Sequence, residues 1–332
     1  MCLYPKLIKN PKYTPTKKNG GVIPKMKDPR CEYVPIGCGK CIECMKKKSN
    51  EWRVRLSEEL KHNKNAYFVT LSFNDEAFEH LKGELEINGY ELDNKVAQKG
   101  VRYFLERWRK KYKKSVKHWL VTELGGNNTE RVHIHGIIWT DNPESIEERW
   151  NAGKQENGHV FIGTFVTMKT INYIVKYLHK ADAKHEYYKP KIMCSPGIGG
   201  DYIGSRNHEN NYKGEGKTNE QYRMEDGRKV ALPIYYRNYT YTDEDKEELW
   251  IEKLDKHERY VLGNKIDVSK TDTEYYARLN VARELNKRQG FGDNEIDWNK
   301  VQYEMERKAI VHARMKKNVT IKQIKNELNK KT

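Results

Sequence analysis

Three residues that could bind a metal ion stand close together in segment 117–140: Glu123, His133 and His135. The segment has the pattern of a strand, a Gly- and Asn-rich turn and a second strand. Side chains two positions apart in a strand point to the same face, so the two imidazoles would converge. A register that opposes residues 123 and 133 would add the carboxylate. Two histidines and a carboxylate with open positions are typical of a catalytic divalent-metal site. Ordinary strand histidines are the alternative.

Residues 168–182 are predicted to form a helix with two different faces. Apolar residues with helical spacing form an anchoring stripe: Ile171, Ile174, Val175 and Leu178. Residues with the same spacing on the opposite face are reactive or basic: Tyr173, Lys176, Tyr177 and Lys180. The helix would therefore present two tyrosines and two lysines. The alternative is an ordinary amphipathic helix whose lysine stems lie along the surface.

Residues 1–48 hold five of the six cysteines. Cys38, Cys41 and Cys44 are tightly spaced, and Cys2 or Cys31 could supply a fourth thiolate. Structural zinc is the first interpretation, because a metal can fold a segment with few apolar residues. An iron–sulfur cluster and free thiols are the alternatives. The N-terminus does not resemble a secretion signal, which disfavours disulfides.

The chain carries a net charge of +16 and contains 22 tyrosines and 7 tryptophans. This composition suits phosphate backbones and stacked bases, although a basic protein without a polyanion partner remains the alternative. A basic amphipathic helix is predicted at 97–114, and we expect its charged face to contact DNA unless it is merely solvated. The candidate residues are Arg102, Arg107, Arg109, Lys110, Lys113 and Lys114. No run approaches the roughly 18 apolar residues of a membrane span.

The remaining pattern predicts strands at 66–73 and 160–167, a helix at 49–62 and a short edge strand at 232–237. Thr242 begins a capping box for a helix that reaches about residue 254. Further helices are predicted at 272–288 and 295–316, followed by a basic amphipathic tail at 320–331.

Three motifs occur in the order and spacing found in rolling-circle replication initiators of the HUH endonuclease superfamily. They are the β-rich segment 68–73, His133-Ile-His135, and Tyr173 and Tyr177 followed by Lys180. Segment 173–180 resembles the paired-tyrosine motif of Microviridae initiators. The start Met-Cys-Leu-Tyr-Pro and segment 37–44 are similar to gokushovirus replication initiators. The resemblance extends from residue 1 to about residue 240.

The resemblance implies an α+β fold of the HUH endonuclease type. A central five-stranded antiparallel sheet, related to ferredoxin-like and RNA-recognition folds, would be flanked by helices. The expected division is a Cys-rich N-terminal segment 1–48, a nicking domain 49–185, a basic loop-rich extension 186–240 and a mostly helical accessory region 241–332. The resemblance also implies Mg²⁺ or Mn²⁺ held by His133, His135 and Glu123, with Glu130 or water as alternatives to Glu123.

The implied function is nicking of phage origin DNA, single-stranded or supercoiled duplex. Tyr173 or Tyr177 would attack to leave a 5′-phosphotyrosine and a free 3′-OH, and strand transfer would release a single-stranded circle. Lys176 and Lys180 would stabilise the phosphate. Expected partners are host helicase and DNA polymerase, with no membrane, in the bacterial host cytoplasm. A relaxase or HUH transposase, and a non-catalytic zinc-bearing nucleic-acid-binding regulator, are the alternatives.

Overall fold

The computed structural model describes residues 2–17, 19–85, 91–125, 130–153, 156–163, 165–179, 188–211 and 220–292. The strands within these residues are β1 Lys6–Lys9, β2 Tyr33–Ile36, β3 Ala66–Ser72, β4 Lys117–Leu124, β5 Val132–Trp139, β6 Val160–Ile162, β7 Ile192–Cys194, β8 Gln221–Arg223, β9 Lys229–Ala231, β10 Glu258–Val261 and β11 Asn264–Asp267. The α-helices are α1 Ile42–His62, α2 Asp75–Gly83, α3 Leu92–Tyr112, α4 Glu144–Asn151, α5 Met168–Val175, α6 Arg206–Asn211, α7 Ile234–Thr240, α8 Asp243–Asp255 and α9 Thr273–Arg288. None of these helices is both long and apolar enough to cross a membrane.

The described residues group into two compact units. The first, which we call the sheet unit, comprises those within 65–166 and 188–195. The second, the cysteine unit, comprises those within 2–64, 167–179 and 196–292. The predicted helix at 295–316 and the predicted basic amphipathic tail at 320–331 lie outside the described residues, and the predicted domain boundaries stay predictions.

The sheet unit is built on a five-stranded antiparallel sheet with the order β6-β3-β5-β4-β7. Its strands are rich in β-branched and aromatic residues, which pack well on a pleated surface. Helices α3 and α4 bury their apolar residues against one face, where Leu120, Ile134 and Ile138 meet Phe104 and Trp150. The predicted α+β class with a central five-stranded antiparallel sheet and flanking helices is confirmed.

Two apolar clusters lie among the described residues of the cysteine unit. Leu3, Cys41 and Ile42 pack with residues of β10, β11 and α9 in the first. Val54 of α1 packs in the second with Tyr202, Tyr236 and neighbouring side chains. Helix α1 also packs along α5 and along the turn after it, so the segment that carries Tyr173 and Tyr177 is supported from within its own unit.

Several local predictions are confirmed and others are wrong. The capping box at Thr242 is present, and α8 and α9 follow as expected. The predicted strand at 160–167 covers only Val160–Ile162. The predicted edge strand at 232–237 is wrong, since α7 begins at Ile234. Pro233 cannot donate to a strand ladder, and the phenol of Tyr236 donates to the carbonyl of Gly199 at 2.8 Å.

Candidate active site and metal centre

Strand β5 places His133 and His135 on one face of the sheet. Val132 and Ile134, which alternate with them, are buried against the helices on the other face. The two imidazole rings are nearly parallel, with centroids 6.3 Å apart. The predicted convergence of the two histidines on one face is therefore present in the structure.

Glu123 joins this face through the predicted register, in which it opposes His133. Its Oε2 lies 3.1 Å from Nε2 of His135. Two ligand atoms at this separation can share one ion with metal–ligand distances near 2.0–2.2 Å. Glu130, the alternative ligand, lies before β5 with a left-handed backbone (φ 45°).

Hydrogen bonds orient both imidazoles. Nδ1 of His135 lies 3.0 Å from Oγ1 of Thr70 on β3, and the ring of His133 bonds to the carbonyl of Arg131. If Nδ1 of His135 donates to Thr70, the lone pair of Nε2 faces Oε2 of Glu123, and a metal ion between the two atoms could accept both. Burial lowers the pKa of His133, and the neighbouring His135 lowers it further. Both effects favour the neutral, metal-binding form of His133.

Gly136 and Thr70 support the site, and neither was predicted from the sequence. A Cβ at Gly136 would lie 2.1 Å from the carbonyl oxygen of Trp119, so only glycine lets β4 and β5 approach this closely beside His135. The sequence signal for the role of Gly136 was a glycine inside a predicted strand, directly after His135. Thr70 could be found only from the register that pairs it with His135.

Two imidazoles and a carboxylate could bind a divalent ion, but the three side chains do not converge on one point. Among the described residues, only the four cysteines below form a group of three or more candidate ligands whose donor atoms all lie within 4.8 Å of one another. Glu123 and His135 are already close, so His133 would have to turn toward them to complete a three-ligand site. A completed site with three protein ligands would still leave coordination positions open, as catalytic metal sites do.

Tyr173 and Tyr177 form a second candidate group, in the cysteine unit. The hydroxyl of Tyr177 donates to that of Tyr173 at 2.7 Å, and the rings meet edge to face. The predicted anchoring stripe is confirmed, since all four of its apolar residues are buried. Ser49 of α1 donates to the carbonyl of Val175 at 3.0 Å, which fixes the end of α5.

The prediction that both tyrosines are exposed is correct for Tyr173 and wrong for Tyr177. Helix α5 ends at Val175, and Lys176–Leu178 form a 3₁₀ turn. The tighter winding turns Tyr177 inward, so it is 8% exposed whereas Tyr173 is 50% exposed. Lys176 is exposed, with its Nζ 5.9 Å from the ring centre of Tyr173. Lys180 lies outside the described residues.

Cys2, Cys38, Cys41 and Cys44 bring their sulfur atoms together as a potential metal centre. Sγ of Cys2 lies 3.9 Å from that of Cys41, and Cys38 lies 4.0 Å from Cys44. Four thiolates bound tetrahedrally at about 2.3 Å to zinc would be roughly 3.8 Å apart. Hydrogen bonding with the thiols of Cys2, Cys41 and Cys44 lowers the pKa of Cys38 well below its usual value. This cluster can therefore bind a metal such as zinc.

Backbone amides donate hydrogen bonds to two of these sulfur atoms. The N–H groups of Tyr4 and Cys38 donate to Sγ of Cys2, at 3.3 and 3.2 Å. The N–H groups of Lys40 and Cys41 donate to Sγ of Cys38, at 3.5 and 3.3 Å. Gly39 makes this turn possible with a positive φ of 75°. Such donors stabilise thiolate charge and orient the ligands.

Cys31, the alternative fourth ligand, is not in the cluster. It is buried in a 3₁₀ turn at Pro29–Cys31, and its carbonyl accepts from Nδ2 of Asn10 at 2.9 Å. Burial raises the pKa of its thiol, as does the nearby Glu247. Cys2 supplies the fourth thiol instead.

Most predicted DNA-contacting residues in and just after α3 are exposed, namely Arg102, Arg109, Lys110, Lys113 and Lys114. Arg107 is different, because its Nη1 donates to the carbonyls of Arg149 and Trp150, at 3.1 and 2.8 Å. It therefore holds the end of α4. Helix α3 also packs on the sheet face opposite His133 and His135, so its basic residues do not line the histidine face.

Residues 66–182 match the model of a family of replication-associated proteins, the ORF2 family. The match covers about a third of the 332-residue chain and contains the histidines, Glu123 and both tyrosines. It supports a replication initiator that binds DNA. No curated protein matches, and no solved structure matches.

Proposed function

We propose that this protein initiates rolling-circle DNA replication by metal-dependent, site-specific nicking of phage origin DNA. One observation carries the proposal: within the replication-associated match, the sheet aligns His133, His135 and Glu123 on one face. Two imidazoles and a carboxylate on one face can together hold a divalent ion against an anionic substrate.

In this proposal His133, His135 and Glu123 hold Mg²⁺ or Mn²⁺. When bound, the ion would polarise the scissile phosphate as a Lewis acid. Thr70 and the carbonyl of Arg131 keep the two imidazoles oriented. Burial helps to keep His133 neutral, so its nitrogen lone pair is available near neutral pH.

Tyr173 and Tyr177 are the proposed nucleophiles. The phenolic oxygen of one attacks phosphorus, a P–O bond to tyrosine forms, and the P–O3′ bond breaks. The tyrosine gives up its proton, and the leaving 3′ oxygen takes one from solvent to become the 3′-OH. Tyrosine is a weak nucleophile at its usual pKa near 10, so stabilisation of the phenolate would speed attack.

The exposure of the two tyrosines suggests their order. Tyr173 is 50% exposed, whereas Tyr177 is 8% exposed and donates its hydroxyl proton to the oxygen of Tyr173. We therefore propose that Tyr173 attacks first. Tyr177 then cuts the regenerated origin, and the released 3′-OH attacks the first phosphotyrosine to close a circle. Because the phosphotyrosine keeps the ester energy, closure needs no ATP.

Other residues complete the proposal. Lys176, with Lys180, stabilises the phosphate. The two exposed arginines of α3 and the exposed lysines at its end contact the DNA backbone away from the cut. The four-cysteine cluster holds structural zinc. In the bacterial host cytoplasm, host DNA polymerase extends the 3′-OH while host helicase unwinds the duplex.

End-labelled single strands that tile the replicon encoding this chain test the proposal. They are incubated with Mn²⁺ or EDTA and run on denaturing gels before and after protease. We expect an Mn²⁺-dependent cut with a protein-linked 5′ end, and peptide mapping of the adduct to Tyr173. Cleavage confined to a transfer origin or a hairpin end would favour a relaxase or transposase. Salt-sensitive binding without cleavage would favour a non-catalytic zinc-bearing regulator.

Tyrosine variants test the nucleophiles. Tyr173→Phe and Tyr177→Phe should each still nick, with the first variant slower because its remaining phenol is buried. The double variant should form no adduct, and an adduct on that variant would refute the assignment. Unchanged zinc content and thermal unfolding serve as the folding control.

A further inference from the structure

An exposed aromatic residue stands on the edge strand of the sheet. Phe161 of β6 is 50% exposed. In the register it pairs with Thr70, so it shares the sheet face that carries Thr70 and His135. Edge strands commonly display charged residues at such positions, which makes an exposed phenyl ring there unusual.

Phe161 begins a row of rings that leads toward the candidate metal ligands. Its centroid lies 6.1 Å from that of Phe68 on β3, with the planes inclined at 64°. Phe68 in turn lies 6.3 Å from His135 and nearly parallel to it, at 10°. His133 continues the row at 6.3 Å from His135. Four rings on three adjacent strands thus lie on one face.

The spacing suits a short stretch of single-stranded DNA. Phe161 is two strands from His135, a separation of roughly 10 Å at the usual strand spacing. Stacked nucleotides rise about 3.4 Å each, so about three of them would span this separation. Aromatic side chains stack on unpaired bases regardless of sequence, because every base has a π-face.

We propose that Phe161 and Phe68 form a stacking subsite for an unpaired nucleobase, within a few nucleotides of the scissile phosphate. The inference rests on the proposed function, because it assigns the ligand as the single-stranded DNA that the enzyme cuts. Stacking there fixes the strand across the sheet face, so the aromatic rings position the substrate and take no part in the chemistry.

Binding measured without cleavage tests this subsite separately from nicking. Fluorescein-labelled single-stranded DNA is titrated with the full chain in EDTA, and anisotropy gives Kd. Phe161→Leu keeps an apolar side chain on the strand but removes the aromatic ring. Phe161→Trp keeps an aromatic ring. Tyr276→Leu is the matched control, since Tyr276 of α9 is similarly exposed at 53%. Thermal unfolding of each variant checks folding.

We expect Phe161→Leu to weaken binding about tenfold, which corresponds to about 1.4 kcal/mol, with Phe161→Trp and Tyr276→Leu close to wild type. A series of oligonucleotides with one abasic site each should reveal one position whose loss weakens wild-type binding. In Phe161→Leu the same abasic site should not weaken binding any further, because the contact between the base and the ring is already absent.

The outcomes separate the subsite from the proposed function. If the wild type nicks DNA but Phe161→Leu binds every oligonucleotide as tightly as the wild type, the subsite is refuted and the nicking function stands. Phe161 would then only cover Phe68. If no DNA is nicked but the abasic coupling to Phe161 is present, the subsite stands and the function fails.

Discussion

The four-cysteine cluster and the histidine–glutamate face differ in how closely their candidate metal ligands are assembled. The four sulfurs all lie within 4.8 Å of one another, and backbone amides donate to two of them. On the sheet face, Glu123 and His135 approach to 3.1 Å, but the full three-ligand set does not close. A closed four-ligand site is suited to a structural role, and an open one leaves positions for substrate.

The two regions also differ in what holds them together. Asn286 of α9 accepts from the amide of Ile42 at 2.9 Å and donates to the carbonyl of Phe291 at 3.1 Å. Arg283 donates to the carbonyl of Leu3 at 3.0 Å. Ligation of Cys2 and Cys41 would therefore tie the N-terminal segment to the region of α9. The histidine face is held by strand ladders, which need no metal.

The largest expected effect comes from opening the closed site. Cys41→Ser should lose bound zinc and the cooperative unfolding of the cysteine unit, because structural zinc contributes about 10–16 kcal/mol in small zinc-finger peptides. Elemental analysis and thermal unfolding measure both. Cys194→Ser, which removes an exposed thiol outside the cluster, is the control. Full zinc content in Cys41→Ser would show that the cluster is not the zinc site.

The next effect should appear at the open site without any change in stability. His135→Ala removes a candidate ligand and should reduce the nicking rate by about 100-fold or more. Even residues that only hydrogen-bond to a metal ligand typically change activity or metal affinity by about 10–100-fold when they are mutated. Zinc content and thermal unfolding should stay at wild-type values. His159→Ala changes an exposed histidine of the same unit and controls for the loss of an imidazole. Equal nicking by both variants would remove His135 from the site.

A smaller effect is expected from the residue that orients His135. Thr70→Val should weaken activation by Mn²⁺ about 10-fold or more, because the hydroxyl fixes the imidazole. Thr70→Ser keeps the hydroxyl and should behave as wild type. The measurement is the Mn²⁺ concentration that gives half-maximal nicking. If the valine variant needs no more Mn²⁺ than the serine variant, Thr70 has no role in orienting His135.

The smallest effect concerns the metal-independent stability of the sheet unit. Arg107→Gln loses the hydrogen bonds to the end of α4 and should destabilise the protein by about 1–3 kcal/mol. Arg109→Gln, at an exposed position on the same helix, should leave unfolding unchanged. Chemical denaturation with EDTA present compares the two variants. Identical midpoints would show that Arg107 adds nothing to stability.

Features that depend on periodicity could be predicted from the sequence. The alternation of apolar and polar side chains predicted strand β5. The few residues between the two strands predicted the register in which Glu123 opposes His133. Helical spacing identified the buried stripe of α5. Each of these patterns lies within one or two neighbouring elements, so no distant contact is needed to read it.

Features that depend on distant contacts could not be predicted. Residues 234–236 have strand-forming side chains, yet Tyr236 is held in a helix by its bond to Gly199. Cys2 and Cys31 were equivalent candidates in the sequence, and only chain folding selects Cys2. In the sequence, Arg107 and Arg109 look alike, since both lie in the same basic helix. Only the fold shows that Arg107 reaches carbonyls of α4.

Metal content and nicking, measured on one EDTA-dialysed sample, test the central claim most directly. We expect one zinc per chain to remain after dialysis, nicking to be lost, and added Mn²⁺ to restore both the cut and the 5′ protein–DNA adduct. Those results would show a closed structural site beside an open catalytic one. Nicking that survives dialysis, or that returns only with zinc, would contradict this account.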